Sequence, residues 1–132
     1  MRIISFDPPD APYVSGDNDK DRVDNDMAEI AILAYPGAQQ AAVLGMTDLL
    51  LAADRIAART PDRAPAVVVS HWAAVDAKGP LERVYASAAC RTNPSLCILP
   101  PALEGPRDEA DPVITGWLQD RNADGAVLAS VC

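Results

Sequence analysis

The sequence predicts an α/β domain in which helices sandwich a parallel sheet. Three observations carry this reading. Short apolar runs with no polar face, at residues 30–35, 66–72 and 96–99, suit strands buried on both sides. Segments with apolar residues at helical spacing fall between them, and this alternation is how parallel strands are joined by crossover helices. Finally, 132 residues that are 49% hydrophobic can fill one core but are short for two domains.

Residues 1–27 hold Asp7, Pro8, Pro9, Asp10 and Pro12, then Gly16-Asp17-Asn18-Asp19-Lys20-Asp21. Low hydrophobicity and clustered acid predict a disordered acidic leader. Asp17, Asp19 and Asp21 alternate like calcium-loop ligands. An EF-hand, however, needs Gly at the sixth position and Glu at the twelfth, where Arg22 and Ala28 stand. The domain proper is expected over residues 28–132. Its first strand, Ile30-Ala31-Ile32-Leu33-Ala34-Tyr35, stops at the Pro36-Gly37 turn signal. Val43, Leu44, Leu50, Leu51 and Ile56 then recur at helical spacing among alanines, and Thr60-Pro61 ends that helix. Asp48, Asp54, Arg55 and Arg59 are expected on its wetter side, and Gly45 is expected to allow close packing on the sheet.

Ala66 to Trp72 forms the second strand and residues 76–80 a turn. Residues 81–86 alternate as a short edge strand or hairpin arm. Leu96-Cys97-Ile98-Leu99 is a buried strand closed by Pro100-Pro101. Asp111-Pro112 reads as an N-cap followed by proline at the first helical position. Val113, Ile114, Trp117 and Leu118 share one face of the helix, which Asp124-Gly125 terminates. Ala126 to Val131 is the last strand, and Cys132 stands at its tip.

Charge and composition narrow the function. Eleven Lys and Arg against 19 Asp and Glu give a net charge of −8, which argues against phosphate-backbone binding by this segment. No apolar run approaches the roughly 20 residues of a membrane helix, so no membrane partner is expected. The amino-terminal residues lack the basic-then-apolar pattern of a secretory signal. Three cysteines without metal-ligand spacing predict no metal site and no disulfide framework, and reduced thiols in the cytoplasm. No cofactor is predicted.

Ile32-Leu33-Ala34-Tyr35-Pro36-Gly37, then Gly45-Met46-Thr47-Asp48-Leu49-Leu50, then Ala126-Val127-Leu128-Ala129-Ser130-Val131-Cys132 resemble the ThiJ/PfpI superfamily of class I glutamine amidotransferase-like domains. Within it, the chain is most similar to the amino-terminal domain of GlxA-family, AraC-type transcriptional regulators. The resemblance spans residues 29–132 and implies a flavodoxin-like sandwich, incomplete at its carboxyl end because the strand is cut at an elbow cysteine. It further implies a ligand-sensing and dimerisation role, a small metabolite as ligand and a homodimer. DNA contact would belong only to a carboxyl-terminal part that this segment lacks.

Cys132 matches the family's elbow thiol, and the alternative function is therefore a cysteine-dependent hydrolase, hydratase or amidase. Three departures from the enzymes' pattern favour a non-enzymatic sensor. Ala42 stands where active members place a carboxyl group, so the thiol loses its acid–base partner. Pro100-Pro101-Ala102 replaces a Pro-Gly-Gly whose amides would stabilise an oxyanion. The terminal carboxylate on Cys132 opposes thiolate formation. The ligand pocket is expected near Tyr35, Gly37, Pro101, Ala102 and Cys132. Asp48 matches a second commonly acidic position of the family, and His71, at a strand end, is a further candidate to line the cleft.

Overall fold

The computed structural model describes residues 27–60, 65–76, 79–90, 93–104 and 110–131. Nearly all of the expected acidic leader, including the calcium-like aspartates, and Cys132 lie outside them. The elements are β1 (Ala28–Leu33), α1 (Gln40–Ala57), β2 (Val67–Ala74), β3 (Leu81–Ala86), β4 (Leu96–Leu99), α2 (Pro112–Ala123) and β5 (Val127–Ser130). They build one five-stranded sheet in the order β3-β2-β1-β4-β5. β1 runs parallel to both β2 and β4, and β4 is parallel to β5; the edge strand β3 alone is antiparallel to its neighbour. The predicted α/β sheet is therefore present and mostly parallel. Among the described residues no helix is long and apolar enough to cross a membrane.

Side chains alternate across β1, so its two faces build separate cores. Ala31 and Leu33 join Leu81, Cys97 and Ala126 under Val113, Ile114, Trp117 and Leu118 of α2. Ile32 joins Val69, Val43 and Ala38 under Met46, Leu50 and Leu51 of α1. The helices thus cover opposite faces, and β1 is buried on both, as its unbroken apolar run requires.

α1 sits differently from the expectation. Val43 and Thr47 are its buried residues, whereas Leu44 and Ile56 point to solvent at 57% and 65% exposure. An Ala/Leu-rich helix is apolar on every side, so periodicity alone does not select the inner face. Nor does Gly45 serve sheet packing: it is exposed, and a Cβ placed there would meet nothing within 4 Å.

α2 begins as its sequence dictates. The Asp111 carboxylate accepts from the Val113 and Ile114 amides at 2.9 and 3.4 Å, with Pro112 at the first turn. Gly125, at φ 99°, turns the chain after the helix into β5. Replacing Asp111 with alanine is expected to lower stability by about 1 kcal/mol, read as a fall in thermal midpoint. β5 lies at the sheet edge, and Val127, Leu128 and Val131 are 63%, 41% and 44% exposed.

Candidate functional site

β1 leads through α1 to β2 on one side, whereas β4 lies on its other side. The carboxyl ends of β1 and β4 therefore diverge at a topological switch point, the usual ligand position in open α/β sheets. Two bends meet there. The Tyr35 hydroxyl donates to the Pro100 carbonyl at 2.6 Å. The Gln39 amide donates to the Pro101 carbonyl at 2.8 Å, and the Leu103 amide to Gly37 at 3.0 Å, pairing Ala38 with Ala102 across the gap. Gly37 adopts φ 91°, a left-handed conformation that glycine reaches without strain.

This latch engages three of the local amides. Pro100 and Pro101 have no N–H. The amides of Gln39 and Leu103 bond across the latch, and that of Ala38 bonds to the Tyr35 carbonyl at 2.9 Å. The strand ends are thus held together by three amides of the two bends.

An open cleft of about 120 Å³ adjoins the latch on the α2 side of the sheet. Tyr35 and Pro36 form one wall, and Ala74, Leu81, Val113 and Ile114 the apolar floor. Asp76 and Asp111, both exposed, add polar atoms. Tyr35 is the residue shared by latch and cleft.

The structure brings Tyr35, Gly37, Pro101 and Ala102 together at the latch, and of these only Tyr35 lines the cleft. Cys132 lies outside the described residues. The backbone before it reaches the same rim, since Ser130 pairs with Leu99 and the Val131 amide donates to the Leu99 carbonyl at 3.0 Å. Asp48 and His71 are not part of this site. Asp48 is exposed on α1, on the far side from the sheet. β2 runs two residues beyond Trp72, so His71 is a mid-strand residue facing α1. Its Nε2 lies 2.8 Å from the Thr47 hydroxyl, and its ring stacks on Tyr85 with centroids 4.6 Å apart.

The Thr47 hydroxyl proton goes to the Val43 carbonyl at 2.8 Å, so the imidazole donates Nε2–H to the threonine oxygen. Burial holds its pKa below the ordinary 6.5. Above that value the ring is neutral whether the chain is folded or unfolded. Below it, the unfolded chain takes up a proton more readily, so stability falls as pH drops from 6.5 toward the folded-state value. Between about pH 7.5 and 5.5 the protein is expected to lose more thermal stability than its His71→Gln variant does.

The most strongly built polar cluster lies elsewhere, at the amino end of β1. Glu29 is fully buried. Its Oε1 accepts from Ser70 at 2.5 Å, from Arg83 Nε at 3.0 Å and from Trp72 at 3.3 Å. Its Oε2 accepts from Arg83 Nη2 at 2.7 Å and from the Cys90 thiol at 3.5 Å. Arg83 also reaches the Cys90 carbonyl and lies 5.0 Å over the Trp72 ring. Trp72 contacts Trp117 of α2 at 5.0 Å, and Arg121 covers the outer face of Trp117 at 5.7 Å. Every donor around Glu29 is already committed to the fold, so this cluster is a fastener between β1, β2 and β3. Cys97 beneath α2 is buried, and burial pushes its thiol up to about 11, with Arg121 drawing it down and Glu29 raising it slightly. It is a core side chain at neutral pH. Among the described residues no group of His, Cys, Asp or Glu is placed to hold a metal ion.

Fold and site together define an α/β domain with a proline-latched switch point and a small cleft beside it. Comparison with protein-family models, curated proteins and solved structures gives no match for the chain.

Proposed function

We propose that this domain binds a small metabolite in the cleft beside Tyr35 without turning it over, as the sensing domain of a GlxA-type transcriptional regulator. One observation carries the non-catalytic reading: the strand ends at the switch point are latched through the Ala38, Gln39 and Leu103 amides, and Pro100 and Pro101 offer no N–H where acyl chemistry would want donors. The parallel strands in the order β2-β1-β4-β5 follow a flavodoxin-like arrangement, which supports the resemblance seen in residues 29–132. Ligand in the cleft touches both the β1 bend and the first turn of α2. It would favour the conformation in which the two are docked, and a bias of that kind is what a sensor transmits.

The test is thermal denaturation with amino acids, their derivatives and other small nitrogenous metabolites, beside an Ala74→Trp variant that fills the cleft. At least one compound is expected to raise the midpoint by roughly 10 °C at a hundredfold excess over its Kd, and the variant to lose that response. Absence of any stabilisation, together with turnover that alkylation of Cys132 abolishes, would establish the cysteine-dependent enzyme instead.

A further inference from the structure

A groove of about 360 Å³ opens at the opposite end of the sheet from the Tyr35 cleft, and on the opposite face. It lies between the last turns of α1 and the rim where β2 begins and β3 ends. Leu51, Ala58 and Val67, each half-buried, form its apolar floor, and Tyr85 lines it beside them. Leu51 and Val67 pack against the Ile32–Val69 cluster, and the Tyr85 ring is braced by its stack on His71. The core therefore sets the shape of the groove. Its polar groups are mostly unspent donors. Arg55 and the Tyr85 hydroxyl have no hydrogen-bond or ion-pair partner among the described residues. A basic residue in the last turn of α1 suits the helix dipole, but that leaves its N–H groups unused. The Ser87 hydroxyl accepts from the Val69 amide at 3.0 Å, and its own proton meets no acceptor among those residues. The one carboxylate here is Asp54, whose Oδ1 takes the Ala66 amide at 2.9 Å and whose Oδ2 stays open.

We propose that this groove binds a small monocarboxylic acid with an aromatic or branched apolar body. The planar guanidinium of Arg55 matches a carboxylate, which the hydroxyls of Tyr85 and Ser87 can also reach as donors. The apolar body covers Leu51, Ala58 and Val67 and lies against the Tyr85 ring. Asp54 sets the limit on charge. Its carboxylate beside Arg55 repels a second negative charge, so phosphates and dicarboxylates are rejected. The chain's net charge of −8 works in the same direction. One ion pair and a modest apolar contact in an open groove give a Kd of about 1 mM. The groove shares no lining residue with the cleft beside Tyr35, so this site stands apart from the function proposed for that cleft.

Titration of the full, isotopically labelled chain with 3-phenylpropionate, followed by backbone amide shifts, tests this. Saturable shifts are expected at Val67, at Ser87 and along the last turns of α1, and added salt should weaken the binding. The uncharged 3-phenylpropionamide keeps the shape and loses the charge, and should bind about tenfold more weakly or worse. Succinate and inorganic phosphate should bind no better than the amide. Arg55→Gln should cost about tenfold, Arg55→Lys less, and Tyr85→Ala several-fold. Arg55 is exposed and without a partner among the described residues, so its variants keep the parent's circular dichroism and thermal midpoint. Absence of saturable shifts, shifts confined to the Tyr35 cleft, equal binding of the amide or of phosphate, or indifference to Arg55→Gln would each overturn the proposal.

Discussion

Glu29→Ala is expected to remove about 3–5 kcal/mol of stability, measured as a shift of the urea midpoint. The effect follows from what the carboxylate leaves behind. Ser70, Trp72 and both nitrogens of the Arg83 fork all converge on it, and a methyl group offers them no acceptor. The Arg83 side chain keeps 27% exposure, so water compensates part of its lost pairing. Ser70 is fully buried and has no such recourse. A buried ion pair is costly to break yet contributes little against an apolar replacement. The double variant Glu29→Leu/Arg83→Leu should therefore recover much of the loss. A double variant as unstable as the sum of its single changes would show that the pair is not the unit that matters.

Trp117→Ala is expected to destabilise by about 2–4 kcal/mol and to loosen α2 before the rest of the fold. No residue of α2 is fully buried. The helix is held by Val113, Ile114, Trp117 and Leu118, each only partly buried against the Ala31–Leu33–Cys97 cluster. Trp117 is the largest of these anchors and the one that contacts Trp72. Without it the remaining three offer a narrow apolar strip. Amide exchange should accelerate across α2 while β1 and β2 stay protected. Uniform acceleration through the sheet would mean that α2 and the sheet open as one unit.

The sheet was legible in the sequence because β1 and β4 are covered on both faces, which leaves runs that resemble nothing but buried strands. The N-cap at Asp111 and the break at Gly125 were legible for local reasons, since capping and left-handed backbone are properties of single residues. Tyr35 and Pro101 were found through the bends they terminate. The Glu29 cluster was not. A lone acid at the start of a strand looks solvent-facing, and its partner Arg83 is remote in sequence on an edge strand. One signal was available: Glu29 directly precedes a run expected to be buried on both sides, and an acid drawn into such a strand requires a cation or several donors nearby. His71 was misplaced because β2 continues through Ala73 and Ala74, two residues too small to declare themselves strand or turn. α1 hid its inner face behind alanines and leucines spread around the whole helix.

The contact between Trp72 and Trp117 gives the protein a built-in optical gauge. The chain has only these two indoles, one on the sheet and one on α2, in a tilted stack with an arginine above each. Their excited states interact only while the helix is seated. Tryptophan emission and near-ultraviolet dichroism therefore follow the docking of α2 without any attached label. Because Val113 and Ile114 of the same helix line the cleft, a compound that tightens or loosens their seat should register in that light.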